Sequence, residues 1–274
     1  DADPVERQIA ILSSVEKAKG KRSILSPAET MNGLTVGAVH ADSAGACPPG
    51  MIEPYDPISG VTNLASSLGL GINRSIKPDL IERGGRQLIR IRKDDEGLYA
   101  FAHDHYSIGQ LAAMPDPAGL ANDKQGRSTG TSNAAALTTR AAIRMADVAE
   151  DLFGENNESW VDSPTRAAVL KALLAHGCAW GQTGEVLHNL YPGHWRRKRE
   201  AITKGLGYGQ VDHDRIADER GHRITLLADD MIAHDALHEY RIPIPRAMTG
   251  NREIRRVTLT LAYSSPIDPV TNRY

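Results

Sequence analysis

The sequence is short of several things, and each shortage excludes a class of protein. Cysteine occurs only at Cys47 and Cys178, so neither a disulfide framework nor a cysteine-rich metal site can organise the fold. No run of about 18 apolar residues occurs, which removes a membrane-spanning helix, and no membrane partner is expected. Neither sign of charge dominates: the formal net charge is −2, so nucleic acid is not expected as a main partner. The one locally basic run, Trp195-Arg196-Arg197-Lys198-Arg199, reads as a solvated helix face. There is no internal repeat and no low-complexity tract. The chain opens on Asp1 rather than Met, with no charged-then-apolar leader after it, and the natural chain is expected to continue upstream.

What is present suits an α/β body. The 274 residues can hold one large domain or two smaller ones around a sizeable core. Asp3-Pro4-Val5-Glu6 carries a cap residue, a first-turn proline and a glutamate three after the cap, predicting a helix up to Gly20. Its apolar stripe is Val5, Ile9, Leu12 and Val15. Leu34 to Val39 is apolar and β-rich without alternation, as buried parallel strands are. Residues 42 to 85, rich in Gly, Pro and Ser, read as surface loops. Residues 87 to 105 read as two strands joined by a turn at Asp94 to Gly97.

A polar loop from 114 to 131 then leads into a helix opening at Ser132, with Leu137, Ala141, Met145, Val148 and Leu152 as its apolar stripe. Ser163-Pro164 caps a further helix, striped by Ala167, Leu170, Leu173 or Leu174, and Gly177. After about residue 216, "HRITLLAD", "YRIPIP" and "RRVTLTLAY" are strand-like, and the prolines suit an edge strand. The expected organisation is an α/β body over 1–215, with a partial parallel sheet and flanking helices, followed by a β-rich module over 216–274.

The stretch with chemical interest is "TGTSNAAALTTRAA", residues 129 to 142. Ser132 follows a glycine loop and heads a long helix, so two jobs are open to it. As an N-cap, its oxygen accepts a backbone N–H further along the first turn. As a nucleophile, it gains from the helix's positive end and free N–H groups, which stabilise a developing oxyanion.

Four stretches in order carry a family resemblance. Gly130-Thr131-Ser132-Asn133-Ala134-Ala135 resembles the nucleophile motif of the subtilisin-like serine peptidases, the subtilases. Ser26-Pro27-Ala28 with Leu34-Thr35-Val36-Gly37-Ala38 is similar to that family's "SPA…ITVGA" strand segment. Ser66-Ser67-Leu68-Gly69, Ile76-Lys77-Pro78-Asp79-Leu80 and Gly84-Gly85 resemble "SSxG…IKPDVxAPGG". Gly207-Tyr208-Gly209-Gln210-Val211-Asp212 is similar to the return that closes the peptidase domain. The trailing "YRIPIP…VTLTLAYSSPIDP" resembles the β domain of a group of large bacterial subtilases. Ala136 and Leu137 depart from the family's Pro-His, and Glu82-Arg83 replaces its Ala-Pro; both are local changes of turn and loop.

The resemblance implies a serine endopeptidase with Ser132 as nucleophile and the Gly130-Thr131-Ser132 backbone at the oxyanion site; no cofactor is expected and no residue is assigned as a metal ligand. A serine hydroxyl needs a base and a group to orient that base. The family supplies these as D-[ST]-G and H-G-T upstream of the serine, and its oxyanion asparagine on a G-N step. None of the three precedes Ser132 in the expected position.

His40 and Asp42 lie in "VHADSAG", too late in the chain for that pair. His103-Asp104-His105 reads as a polar strand end, His176-Gly177 as a helix terminator, and His234 with His238 as a surface turn. The expectation is therefore that this chain carries only the nucleophile, is inactive alone, and takes its His, Asp and Asn from a missing N-terminal part of the same protein. Expected partners are a peptide or protein substrate, that missing part, and a second copy through self-association. Two alternatives stay open: a non-catalytic scaffold or binding module with the same fold, and another serine hydrolase. The second lacks G-x-S-x-G, because position 134 is Ala.

Overall fold

A computed structural model describes residues 3–55, 60–90, 100–102, 107–116, 118–119, 123–154, 160–212, 225–243 and 256–266. Its first element is the helix that the capping pattern predicts. In α1, Pro4–Lys17, proline occupies the first turn and the Asp3 carboxylate accepts the Val5 N–H at 3.2 Å. The buried line is Gln8 and Leu12, with Ile11 and Val15 packed beside it, while Val5 and Ile9 remain exposed. The helix is thus turned slightly from the expected stripe.

β1 (Val36–Val39), β2 (Met51–Ile52) and β3 (Leu80–Arg83) follow. β4 (Leu88–Arg90) and β5 (Ala100–Ala102) pair antiparallel as expected, Leu88 opposite Ala102, and β2 lies on the other side of β4. β6 (Gln110–Ala113) and β7 (Gln125–Ser128) form a hairpin. Then come α2 (Thr131–Gly154), α3 (Arg166–His176), β8 (Cys178–Ala179), α4 (Gly181–Leu190), α5 (Trp195–Leu206) and β9 (Gln210–Val211).

The main sheet runs β1-β3-β9-β8, parallel except for β8. Adjacent residues of β3 face opposite layers, as strand geometry requires. Leu80 packs with Ala141, Leu174 and Val211 under α2 and α3. Ile81 packs with Val39, Leu12, Leu187, Ile202 and Leu206 under α1, α4 and α5. The result is a three-layer α/β/α body, consistent with a subtilisin-like fold.

Three expectations need correction. Residues 42 to 85 are not all surface loop: they contain β3, where Leu80, Ile81 and Glu82 are buried, together with buried Tyr55, Val61, Leu64 and Leu68. A four-residue strand entered through Lys-Pro-Asp and left through Glu-Arg-Gly-Gly shows no period for a pattern to catch. The loop from 114 to 131 likewise contains β7, whose Gln-Gly-Arg-Ser has no β signature.

The third correction concerns α2. Of the expected stripe Ala141 is buried and Met145 packs beside it, but Val148 and Leu152 are 59% and 66% exposed, and the buried face is completed by Ala134, Thr138, Ala146 and Ala149. Small residues on the contact face let the helix lie close on β1 and β3.

The "IKPD" segment locks the sheet's entry edge. The Asp79 carboxylate accepts the Thr35 N–H at 2.7 Å and meets the Lys77 and Lys171 ammoniums at 2.6 and 3.1 Å. Lys77 also donates to the Gly33 carbonyl at 2.8 Å. Burial pulls the Lys77 ammonium below its usual range, and Asp79 opposes that shift. Gly207 makes the turn from α5 into β9 at φ 58°, where a Cβ would stand 2.2 Å from the Pro78 carbonyl oxygen. Only glycine fits there.

In the region expected to be a β-rich module, 225–243 and 256–266 carry no helix or strand; 213–224, 244–255 and 267–274 lie outside the described residues. Hydrogen bonds tie the described stretches to the body. Thr165 Oγ1 donates to Asp229 at 2.6 Å, and His176 Nδ1 lies 3.0 Å from Thr260 Oγ1. The Asn32 amide bonds both the N–H and the carbonyl of Ser265.

Candidate active site

Ser132 is the second residue of α2 and is exposed. It lies inside the first turn, not at the cap position, and its hydroxyl makes no hydrogen bond to the described residues. Of the N–H groups around it, that of Asn133 donates to the Gly130 carbonyl at 3.2 Å. Gly130, at φ 148°, precedes the helix, and a Cβ built there would meet nothing within 4 Å, so this backbone borders open space. Thr131 is the first helical residue.

The serine turn is anchored to the carboxyl ends of the parallel strands. The Gly84 N–H bonds the Val39 carbonyl at 3.0 Å, and the Gly84 carbonyl accepts the Gly130 N–H at 2.8 Å. The approach needs glycine at 84, since a Cβ would lie 2.4 Å from Ala38 Cβ and 2.9 Å from Gly130 O. Asn133 completes the anchor: its amide donates to Ser128 O at 2.8 Å and Gly84 O at 3.4 Å, and its oxygen accepts from Ser128 Oγ at 3.1 Å. Sequence reasoning missed this role. The signal was a short amide in a first turn, where Asn side chains bond local backbone.

Behind this shelf sits a buried charged cluster. Asp42, its side chain fully enclosed, accepts the backbone N–H groups of Arg86, Gly109 and Ala44 at 2.9 Å each, and Arg86 Nε at 3.0 Å. Burial alone would raise its pKa, but the three backbone donors and the guanidinium reverse that and hold it below the usual carboxylate range. Arg86 also pairs with Glu53 at 3.2 Å.

His40 is not the partner of Asp42. Its Nε2 faces Glu53 Oε1, its Nδ1 accepts the Gln87 N–H at 3.2 Å, and its ring stands edge-on to Tyr55 at 5.0 Å. Both ring nitrogens are thus engaged within this cluster, and Glu53 and Arg86, which organise it, were not legible as a pair in sequence. Among the described residues no histidine bonds Ser132.

Among the described residues the remaining histidines do not converge. His103 and His105 lie outside the described residues. His176 ends α3 as expected. His234 and His238 face different aspartates, Asp235 at 3.0 Å and Asp230 at 3.4 Å, in an irregular exposed segment. Among the described residues no group of three or more His, Cys, Asp or Glu could hold a metal ion, and no helix is long and apolar enough to cross a membrane.

Ser132 thus lies exposed at a helix start, over the carboxyl ends of a parallel sheet, where ligands bind in open α/β folds. The subtilase family model matches residues 8–209, and the chain belongs to that family. The uncharacterized protein y4bN of Sinorhizobium fredii (strain NBRC 101917 / NGR234) is 23% identical over 261 residues, covering 92% of this chain and 53% of that protein. The chain therefore spans about half the length of the curated relative it matches. No solved structure matches it.

Proposed function

We propose that this chain is the nucleophile-bearing portion of a serine endopeptidase that hydrolyses peptide bonds by acyl transfer. The observation that carries the reading is Ser132: an exposed hydroxyl in the first turn of α2 with no hydrogen bond among the described residues, held by Gly84, Gly130 and Asn133 at the sheet's carboxyl edge, in a subtilase chain. In this reading Ser132 Oγ attacks the substrate carbonyl carbon while a base takes its proton. The Ser132 backbone N–H then donates to the oxyanion, with Gly130 leaving room for a substrate backbone. The base, its orienting Asp and the oxyanion Asn come from another part of the parent protein, since His40 is committed to Glu53 and Gln87.

The partners follow from this reading: a peptide or protein substrate, and the remainder of the same protein. We further propose that 216–274 form a β-rich module. Val257, Leu259 and Leu261 occupy alternate positions and are 85%, 86% and 81% exposed, a spacing suited to strand pairing or to association with a second copy. The test is a tagged fluorophosphonate on the parent protein, which labels only an activated serine. Labelling that vanishes in Ser132→Ala supports the endopeptidase, and labelling that survives it overturns the assignment. An unlabelled but folded parent favours the scaffold alternative, in which the fold persists without chemistry.

A further inference from the structure

The basic run at the start of α5 is more than a solvated face. Trp195 is 49% exposed, and Arg196 and Arg199 lie over its ring at 5.4 and 5.9 Å. Arg199 also reaches the Trp180 ring at 6.0 Å, and the His194 ring lies 5.7 Å from Trp195. Arg196, Arg197 and Arg199 are exposed, and no carboxylate pairs with any of them among the described residues. Glu200 is engaged elsewhere, by Arg74 at 3.0 Å and Lys204 at 2.8 Å. No acidic residue sits in the first turn, where cations already meet the positive end of the helix. Ordinary solvated helices interleave charges of opposite sign; this one concentrates cations around an exposed indole.

We propose that this patch is a docking site for a short acidic peptide segment carrying an apolar residue among its carboxylates. Guanidiniums grip carboxylates with two parallel hydrogen bonds, and Trp with Arg is the pair that dominates protein interface hot spots. Size argues against nucleic acid. Residues 195–199 rise only about 6 Å along the helix, and three free guanidiniums fall short of the roughly 6–10 phosphate contacts of strong nucleic-acid binding. Charge complementarity selects an acidic partner, and the half-exposed indole selects an apolar residue within it. The proposal does not depend on the role of Ser132.

The test uses the full chain and fluorescence anisotropy of a labelled peptide alternating Glu and Leu, beside the same peptide with Gln for every Glu. The Glu peptide should bind and the Gln peptide should bind at least about tenfold more weakly. Binding should weaken several-fold as NaCl rises from about 0.05 M to about 0.3 M. Arg197→Glu combined with Arg199→Glu should abolish it, and Trp195→Ala should weaken it several-fold. Equal binding of the two peptides, or undiminished binding by the folded double variant, overturns the proposal. So does a single-stranded oligonucleotide of equal charge that binds more tightly and displaces the peptide. The two-peptide comparison uses the unaltered chain, so it decides the matter even if a variant fails to fold.

Discussion

Replacing Asp42 by Asn tests the shelf behind Ser132 with nearly no change of shape. Each Asp42 oxygen serves two donors: Oδ2 takes the Arg86 and Gly109 N–H groups, and Oδ1 takes the Ala44 N–H and Arg86 Nε. An amide keeps one oxygen and presents an NH2 to the other two donors, whichever way it is turned. Two buried donors then lose their acceptor, at about 1–3 kcal/mol each. The cost should be about 2–5 kcal/mol, a large share of the roughly 5–15 kcal/mol that holds a domain together.

Urea unfolding followed by tryptophan fluorescence should show the midpoint falling by about 1 M or more. The pH dependence supplies a second signature. Because folding holds this carboxyl below its ordinary value, its contribution is fully present above the unfolded pKa of about 3.9 and is lost as pH falls through the folded value. The gap between wild type and Asp42→Asn should therefore be widest near neutrality and narrow as the solution is acidified below about pH 4. An Asn variant within about 0.5 kcal/mol of wild type at pH 7 would refute the reasoning.

Other perturbations address other layers. Lys77→Met leaves Asp79 buried with only Lys171 for charge, and should cost about 3–5 kcal/mol by the same unfolding assay. Gly84→Ala drives a methyl into Ala38 and the Gly130 carbonyl. It should destabilise by about 1–3 kcal/mol and displace the serine turn, read in the parent protein as slower fluorophosphonate labelling. Val148→Glu and Leu152→Lys, at positions the sequence pattern put in the core, should each stay within about 0.5 kcal/mol of wild type. Light scattering should show self-association that Leu259→Lys with Leu261→Lys reduces; a strictly monomeric wild type would remove that expectation.

Features set by local chemistry were legible before the structure. Asp3 and Pro4 announced α1, the unalternating "LTVGAV" announced a buried parallel strand, and the glycine-serine turn announced where α2 begins. Features decided by distant partners were hidden. β3 is too short for a period and becomes a strand because β1 and β9 flank it. The buried side of α2 is alanine because closeness to the sheet, not size, is what its contact needs. His40 and Asp42, two residues apart, lie too late in the chain for the family's catalytic pair, but the sequence did not show what they bond instead. In the fold they belong to different partners, Glu53 and Arg86, which arrive from later segments.

The commitment of His40 to Glu53 and Gln87 bears directly on activity. A serine peptidase needs an imidazole whose one nitrogen faces the hydroxyl and whose other is oriented by a carboxylate. His40 has its carboxylate, Glu53, but its second nitrogen accepts the Gln87 N–H, so no lone pair remains for a serine proton. Among the described residues no base reaches Ser132, and the proposed reading makes it an unactivated alcohol in this chain alone. In subtilisin, removing the serine or the base lowers kcat by about 2 × 10⁶-fold. A loss of that size puts hydrolysis of a chromogenic peptide by the isolated chain at the level of its Ser132→Ala variant. Titrating both with fluorophosphonate should likewise leave them equally unlabelled. Serine-dependent turnover by the isolated chain would mean that a base lies within these residues. His40 would then have to release Gln87, or His103 or His105 would have to serve, and the division of the catalytic machinery proposed for the parent protein would be wrong.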